Sequence, residues 1–304
     1  MKTAVVGAGA MGSLFGALLA EAGVDVRLID IWEEHVVAVN QNGLTVESEG
    51  HVRQVRMKAA VAPESTGPAD LIILFVKSAQ TETAAYTAAG LAGPDSLVLT
   101  LQNGLGNADT ISEIIDPQRV VAGTTAHGAT ILGPGKVRHA GRGATVIGMW
   151  AGGDNAPARQ IADLFTAAGI ATEISDDILQ VVWQKLLVNV GINAITALTG
   201  IKNGRILDLE VSRNLSVAAV EEAAAVARAL GVDVRPDAAT HVLQIAEATG
   251  SNRSSMGQDV DARRQTEIDV INGVVVREAR KAGLKAPVNQ TLTALVETLQ
   301  ANFE

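Results

Sequence analysis

Residues 3–6, TAVV, form a short apolar run that ends in the glycine-rich GAGAMG. SLFGALLAEAG follows with alanine and leucine at helical spacing and stops at Gly23. VDVRLID (24–30) is a second strand-like run, and LIILFV (71–76) is apolar without a break, as in a strand buried on both faces. SLVLTLQNG (96–104) and RVVAGTT (119–125) continue the series. Strands alternating with helical stretches predict βαβ units and a parallel sheet. After about residue 125 the pattern changes. ATILGPGKVRHAGRGATVIG (129–148) reads as short strands between Gly and Pro turns, expected as antiparallel additions to that sheet. A helix over about 156–168 and a short strand in ATEIS complete a first domain, residues 1–174. From 176 onward the pattern is almost wholly helical, as in SRNLSVAAVEEAAAVARALG, and 175–304 is expected to be an all-helical second domain joined at SDDI.

Composition narrows the class. The chain has 304 residues, 47% hydrophobic and 19% charged, enough for a folded core without staples. Aromatics are only 3%, so aliphatic side chains and alanine build the interior. A net charge of −9 argues against a nucleic-acid partner. The absence of cysteine removes thiolate catalysis and zinc–thiolate sites and fits a cytoplasmic location. The five histidines show no paired ligand spacing, so no metal is assigned. MKTAVVGAGAMG could pass for a signal peptide but reads better as a strand entering a glycine turn. No stretch approaches ~18 uninterrupted apolar residues, which argues against a membrane span.

Gly7, Gly9 and Gly12 spell G-x-G-x-x-G after a strand and at the start of a helix. In that context the first glycine permits the tight turn, the second admits a pyrophosphate, and the third lets helix pack on strand. The turn Gly7, Ala8, Gly9, Ala10, Met11, Gly12 is therefore expected to hold a dinucleotide. Asp30 closes the second strand, where a carboxylate accepts hydrogen bonds from an adenosine ribose and repels a 2′-phosphate. This favours NAD(H) over NADP(H), although Asp30 with Glu33 also resembles a helix capping box. Lys77 and Asn103 stand at the ends of successive strands, on the edge where such sheets bind ligands. Singly each suits a turn; together they leave turn and ligand readings level.

VVWQKLLVNVGINAITALTG (181–200) carries Lys185, Asn189 and Asn193 at intervals of four, a polar stripe on an apolar helix. Buried amides and ammonium groups need partners, so the stripe meets a structural network, water or a ligand. A lysine beside a carbonyl can protonate a developing alkoxide, and the amides can hold a carboxylate or hydroxyl. With a nicotinamide present, that set suffices to reduce a 2-oxo acid. Ser255 and Gln258 fit a helix capping signature, and Ser254 and Ser255 could bind a substrate carboxylate. Glu267, by spacing alone, is a surface partner of Arg263 or Arg264. Glu221 and Glu222 read as the outer face of their helix, and GKVRHAGR as a solvated hairpin.

Taken together, GAGAMG, FVKSAQT, LQNGLG, TTAHGATILGPGKVRHAGRG, WQKLLVNVGINAITAL, the Asn203-Gly204 pair and NRSSMGQDV…TEIDVING resemble the ketopantoate reductase (2-dehydropantoate 2-reductase) family over nearly the full chain. The resemblance implies an N-terminal Rossmann domain, a helical C-terminal domain, an active site in the cleft and a homodimer. It implies Lys185 as general acid, with Asn103, Asn189, Asn193, Asn203 and Ser255 near the 2-oxo acid. Glu267 falls at the cofactor–substrate junction, and Lys77 and Ala129 along the dinucleotide. One departure stands out. NADP-using members commonly carry an Arg just after the second strand, where this chain has Asp30-Ile31 with Glu33 and Glu34 behind. The expected activity is reduction of ketopantoate to pantoate, toward coenzyme A. The alternatives are an NAD-dependent D-2-hydroxy acid dehydrogenase of the same fold and a non-catalytic dinucleotide-binding regulator.

Overall fold

The structure, a computed structural model, describes residues 1–303. The chain divides into two compact units, one of Met1–Gln102 with Asn107–Ile178, the other of Asn103–Gly106 with residues from Leu179 onward.

The first unit opens with β1 (Lys2–Val6), α1 (Ala10–Glu21), β2 (Asp25–Ile29) and α2 (Glu33–Asn42). The strands β3 (Leu44–Ser48), β4 (His51–Val55), β5 (Lys58–Ala60) and β6 (Ala69–Leu74) follow, then α3 (Thr81–Leu91), β7 (Ala92–Thr100) and α4 (Asn107–Ser112). The unit closes with β8 (Val120–Thr125), β9 (Gly128–Gly133), β10 (Lys136–Gly141), β11 (Thr145–Met149), α5 (Ala156–Ala167) and β12 (Thr172–Ile174). Among the described residues, the main sheet runs β12-β11-β8-β7-β6-β1-β2-β5. Its strands from β8 to β5 are parallel, and β11 is antiparallel to β8. The apolar run of β6 is buried at Leu71, Ile72, Ile73 and Leu74, as a strand covered on both faces requires.

The expectation that 129–148 adds antiparallel strands to this sheet holds only for β11. β9 and β10 instead form a second sheet, ordered β4-β3-β10-β9, in which β10 runs parallel to β3. Local pattern cannot reveal that pairing, because Val137 meets Val46 across some ninety residues of chain. The expected solvated hairpin is likewise a strand with a buried side: His139 is buried, and its Nε2 lies 3.0 Å from Nδ1 of His127.

In the second unit α6 (Ile178–Thr199) is followed by α7 (Glu210–Ala229), α8 (Ala238–Ala248), α9 (Ser255–Asp261), α10 (Val274–Lys281) and α11 (Pro287–Gln300). By length and composition α6 could cross a membrane, but 67% of its most apolar window is buried inside the protein. Gly191 shows why. A Cβ there would come within 2.7 Å of Val220 on α7 and Val242 on α8, so both helices press against α6. Gly191 lies opposite the stripe on α6, since two residues turn a helix by roughly 200°.

Glu222 is not a bystander on an outer face. Its carboxylate accepts from the N–H groups of Val288 and Asn289 and from Asn289 Nδ2, at 2.9, 3.0 and 2.9 Å. It thereby caps α11 from α7, a partnership that a helical wheel of α7 alone cannot show.

Candidate active site

In the first unit the glycine turn sits at the carboxyl end of β1, whose neighbours β2 and β6 lie on opposite sides. Such a strand marks the switch point where parallel sheets hold ligands. Gly7 has φ +93°, and a Cβ on Gly12 would stand 1.9 Å from the Gly7 carbonyl oxygen. These two positions admit no side chain, while a Cβ on Gly9 would meet open space. No side chain caps α1, and its first turn carries no acid. A helix N-terminus left in this state favours an anion, so the turn fits a dinucleotide's pyrophosphate.

Asp30 does not cap α2 in the expected box. Its Oδ2 accepts from the Ala8 N–H at 2.6 Å and its Oδ1 from the Trp32 N–H at 2.9 Å, while Trp32 occupies the cap position. The carboxylate thus ties the second strand to the glycine turn, and Ile31 beside it is 78% exposed. Lys77 stands exposed just beyond β6. Gln102, within the quoted LQNGLG but given no role by its spacing, donates to the Val76 carbonyl and to Thr81 Oγ1, at 2.9 and 2.8 Å. It so braces the loop around Lys77. Ala129 lies on β9 opposite His139 and packs on the core of this unit.

The second unit gathers most of the remaining candidates. The stripe lies on one continuous helix, with Lys185 and Asn189 half-buried and Asn193 buried. Burial brings the Lys185 ammonium down to about 8, against the pull of the Glu267 carboxylate, which raises it. Asn103 Nδ2 lies 3.4 Å from Glu267 Oε2. Beside Asn103, the Leu105 N–H donates to the Val270 carbonyl at 3.0 Å, which fixes this short segment.

Glu267 is not the surface partner that spacing suggests. It is 7% exposed, and Arg264 pairs instead with Asp259 while Arg263 donates to the Asn302 carbonyl. Glu267 precedes a turn of π-helix, Asp269–Gly273, that leads into α10. Such wider turns cluster at functional sites, and no periodicity argument anticipates them.

The serine expectation shifts by one residue. Ser254, not Ser255, caps α9, accepting from the Gly257 N–H at 3.0 Å, and its Oγ lies 2.7 Å from Thr196 Oγ1. Ser255 is exposed in the first turn. Thr196 extends the stripe three residues beyond Asn193, so helical spacing was a usable signal for it. Arg253 Nη1 donates to the Thr196 and Ile201 carbonyls, which anchors the α9 loop on the end of α6. Asn203 Nδ2 donates to Thr249 Oγ1 at 3.1 Å. Two buried polar atoms here, Asn193 Nδ2 and Asn203 Oδ1, have no protein partner. A lone donor and a lone acceptor, each costly when unpaired, suit a ligand that carries both carboxylate and hydroxyl oxygens. Among the described residues no three His, Asp or Glu side chains group to hold a metal.

The chain matches two family models, "Ketopantoate reductase PanE/ApbA" over residues 3–152 and "Ketopantoate reductase PanE/ApbA C terminal" over residues 177–300. A 2-dehydropantoate 2-reductase from Halobacterium salinarum is 40% identical over 301 residues, 99% of either chain. A ketopantoate reductase of the PanE/ApbA family from Ralstonia eutropha is 37% identical, with a TM-score of 0.92 over 100% of this chain and 99% of that one. D-mandelate dehydrogenase, in a ternary structure with NADH and anilino(oxo)acetate, is 31% identical, with a TM-score of 0.94 over 100% and 99%. Matched in both halves and by relatives of equal length, the chain belongs to the ketopantoate reductase family.

Proposed function

We propose that the chain reduces 2-dehydropantoate (ketopantoate) to (R)-pantoate, with Lys185 as general acid. The observation that carries this reading is the Lys185 ammonium, brought down to about 8 beside the Glu267 carboxylate on a helix otherwise built of apolar residues. A proton donor works best when its pKa lies near the working pH, and a surface lysine is too weak an acid. Lys185 gives its proton to the ketone oxygen as negative charge develops there. Glu267 keeps enough of the ammonium protonated at neutral pH and receives Asn103. Asn193 Nδ2 donates to a substrate oxygen and Asn203 Oδ1 accepts from a hydroxyl, which satisfies both lone groups. Asn189 and Ser255 complete the polar wall, Ser255 toward the carboxylate.

The residues that would hold the cofactor are Gly7, Ala8, Gly9, Ala10, Met11, Gly12, Asp30, Lys77, Asn103, Ala129 and Glu267. Bound there, a nicotinamide dinucleotide supplies hydride to the carbonyl carbon. NADH is the preferred partner in this reading. A 2′-phosphate near Asp30 would meet the acids Glu33 and Glu34 and no arginine among residues 30–34. The likeness to D-mandelate dehydrogenase supports a second reading, reduction of another bulky 2-oxo acid to its D-2-hydroxy acid. The family resemblance adds a cytoplasmic homodimer, which sedimentation of the purified protein tests. Rates with ketopantoate and a panel of bulky aliphatic and aromatic 2-oxo acids, under NADH and NADPH in parallel, separate the readings. A kcat/KM for ketopantoate below that of every other acid would overturn the first.

A further inference from the structure

His35 is fully buried and has no part in the proposed chemistry. Its Nδ1 accepts from the Gly135 N–H at 3.2 Å, in the turn between β9 and β10. An accepting Nδ1 is unprotonated, so the ring's proton is on Nε2, which faces Ser13 Oγ at 3.2 Å. Burial lowers the His35 pKa, against a smaller upward pull from Asp30, and keeps this neutral form. Ser13 is also fully buried and donates its own proton to the Ala8 carbonyl at 2.8 Å. A directed chain results, from His35 Nε2–H to Ser13 Oγ and from Ser13 O–H to the Ala8 carbonyl. Trp32 stacks on the imidazole, with ring centroids 5.1 Å apart, and holds it in plane.

The Ala8 carbonyl shares a peptide plane with the Gly9 N–H, and in a trans peptide the two point in opposite directions. Drawing that carbonyl into the buried Ser13 hydroxyl therefore turns the Gly9 N–H outward, on the exposed side of the turn. The neighbouring groups are held too, since the Gly7 N–H donates to the Ile29 carbonyl and the Ala8 N–H to Asp30. We infer that Ser13 and His35 are positioning residues that aim the Gly9 N–H at the pyrophosphate of the dinucleotide. The inference rests on the dinucleotide reading of the turn. It adds that the donor is set before the ligand arrives, by a relay running from α2 through α1. A preset donor loses less freedom on binding than one that must be ordered.

The test is calorimetric titration of NADH and ADP-ribose into the unaltered protein and into S13A, H35N and H35Q, with a melting curve for each. Glutamine can replace the imidazole Nε2–H toward Ser13, whereas asparagine can replace only the acceptor for Gly135. S13A and H35N are expected to weaken both ligands by about tenfold, the size of one lost hydrogen bond of the stronger kind. The factor is the same for the two ligands because they share the pyrophosphate. H35Q stays within about twofold of the unaltered protein. In turnover, KM for NADH rises in S13A while kcat is kept. Unchanged affinity in S13A, whatever its melting temperature, or H35N binding as tightly as H35Q, overturns the inference. Failure of the unaltered protein to bind NADH, ADP-ribose or, titrated in the same way, NADPH overturns instead the dinucleotide reading beneath it.

Discussion

Lys185 is the residue on which the proposed chemistry turns. Replacing it with alanine is expected to lower kcat by about 10² to 10⁴-fold, the usual worth of a positioned proton donor, while NADH binding measured by titration is retained. The pH dependence has a definite sign. With Lys185 as the proposed acid, reduction needs the protonated amine, so its rate is expected to fall as pH rises through about 8, and oxidation of the hydroxy acid to rise over the same range. Glu267 raises the Lys185 pKa, so E267Q moves the falling limb of the reduction profile to lower pH. A profile for E267Q that stays put or moves up would remove this coupling. The stripe was legible in the sequence because three polar residues at intervals of four stand out in an apolar helix. Glu267 was legible only through family resemblance, since two arginines at helical distance offered it an ordinary surface role. Its burial just ahead of a π-turn and the capping of α9 by Ser254, whose Oγ meets Thr196, do not follow from spacing.

Elements hold these residues through a few close approaches. Gly104 has φ +85°, and a Cβ there would come within 2.5 Å of Val270. G104A is therefore expected to displace Asn103 from Glu267 and to lower kcat, at a stability cost of about 1–3 kcal/mol read from denaturant unfolding. E222Q should act differently. It weakens the cap on α11 and lowers the melting temperature, by about 1 kcal/mol or more in stability, with little effect on NADH affinity. The parallel strands and α6 could be read from the sequence because each carries a strong local pattern. The second sheet could not. β3 and β4 are short and half polar, and the partner of β10 comes from a distant part of the chain, so only tertiary packing selects it.

For the molecule as a whole, the proposed choice of cofactor rests on charge near the end of β2. NADH is expected to give the higher kcat/KM, and I31R, at an exposed position beside Asp30, should raise use of NADPH at least about tenfold through a new guanidinium–phosphate pair. No gain with NADPH would move the discrimination away from this corner. The central claim is that Lys185 is the acid in a dinucleotide-dependent reduction. It is tested most directly by ketopantoate-dependent oxidation of NADH, compared between the unaltered protein and K185A under saturating cofactor. Rapid turnover that collapses in K185A while NADH still binds is the predicted result; turnover in K185A within a few fold of the unaltered protein would contradict the account.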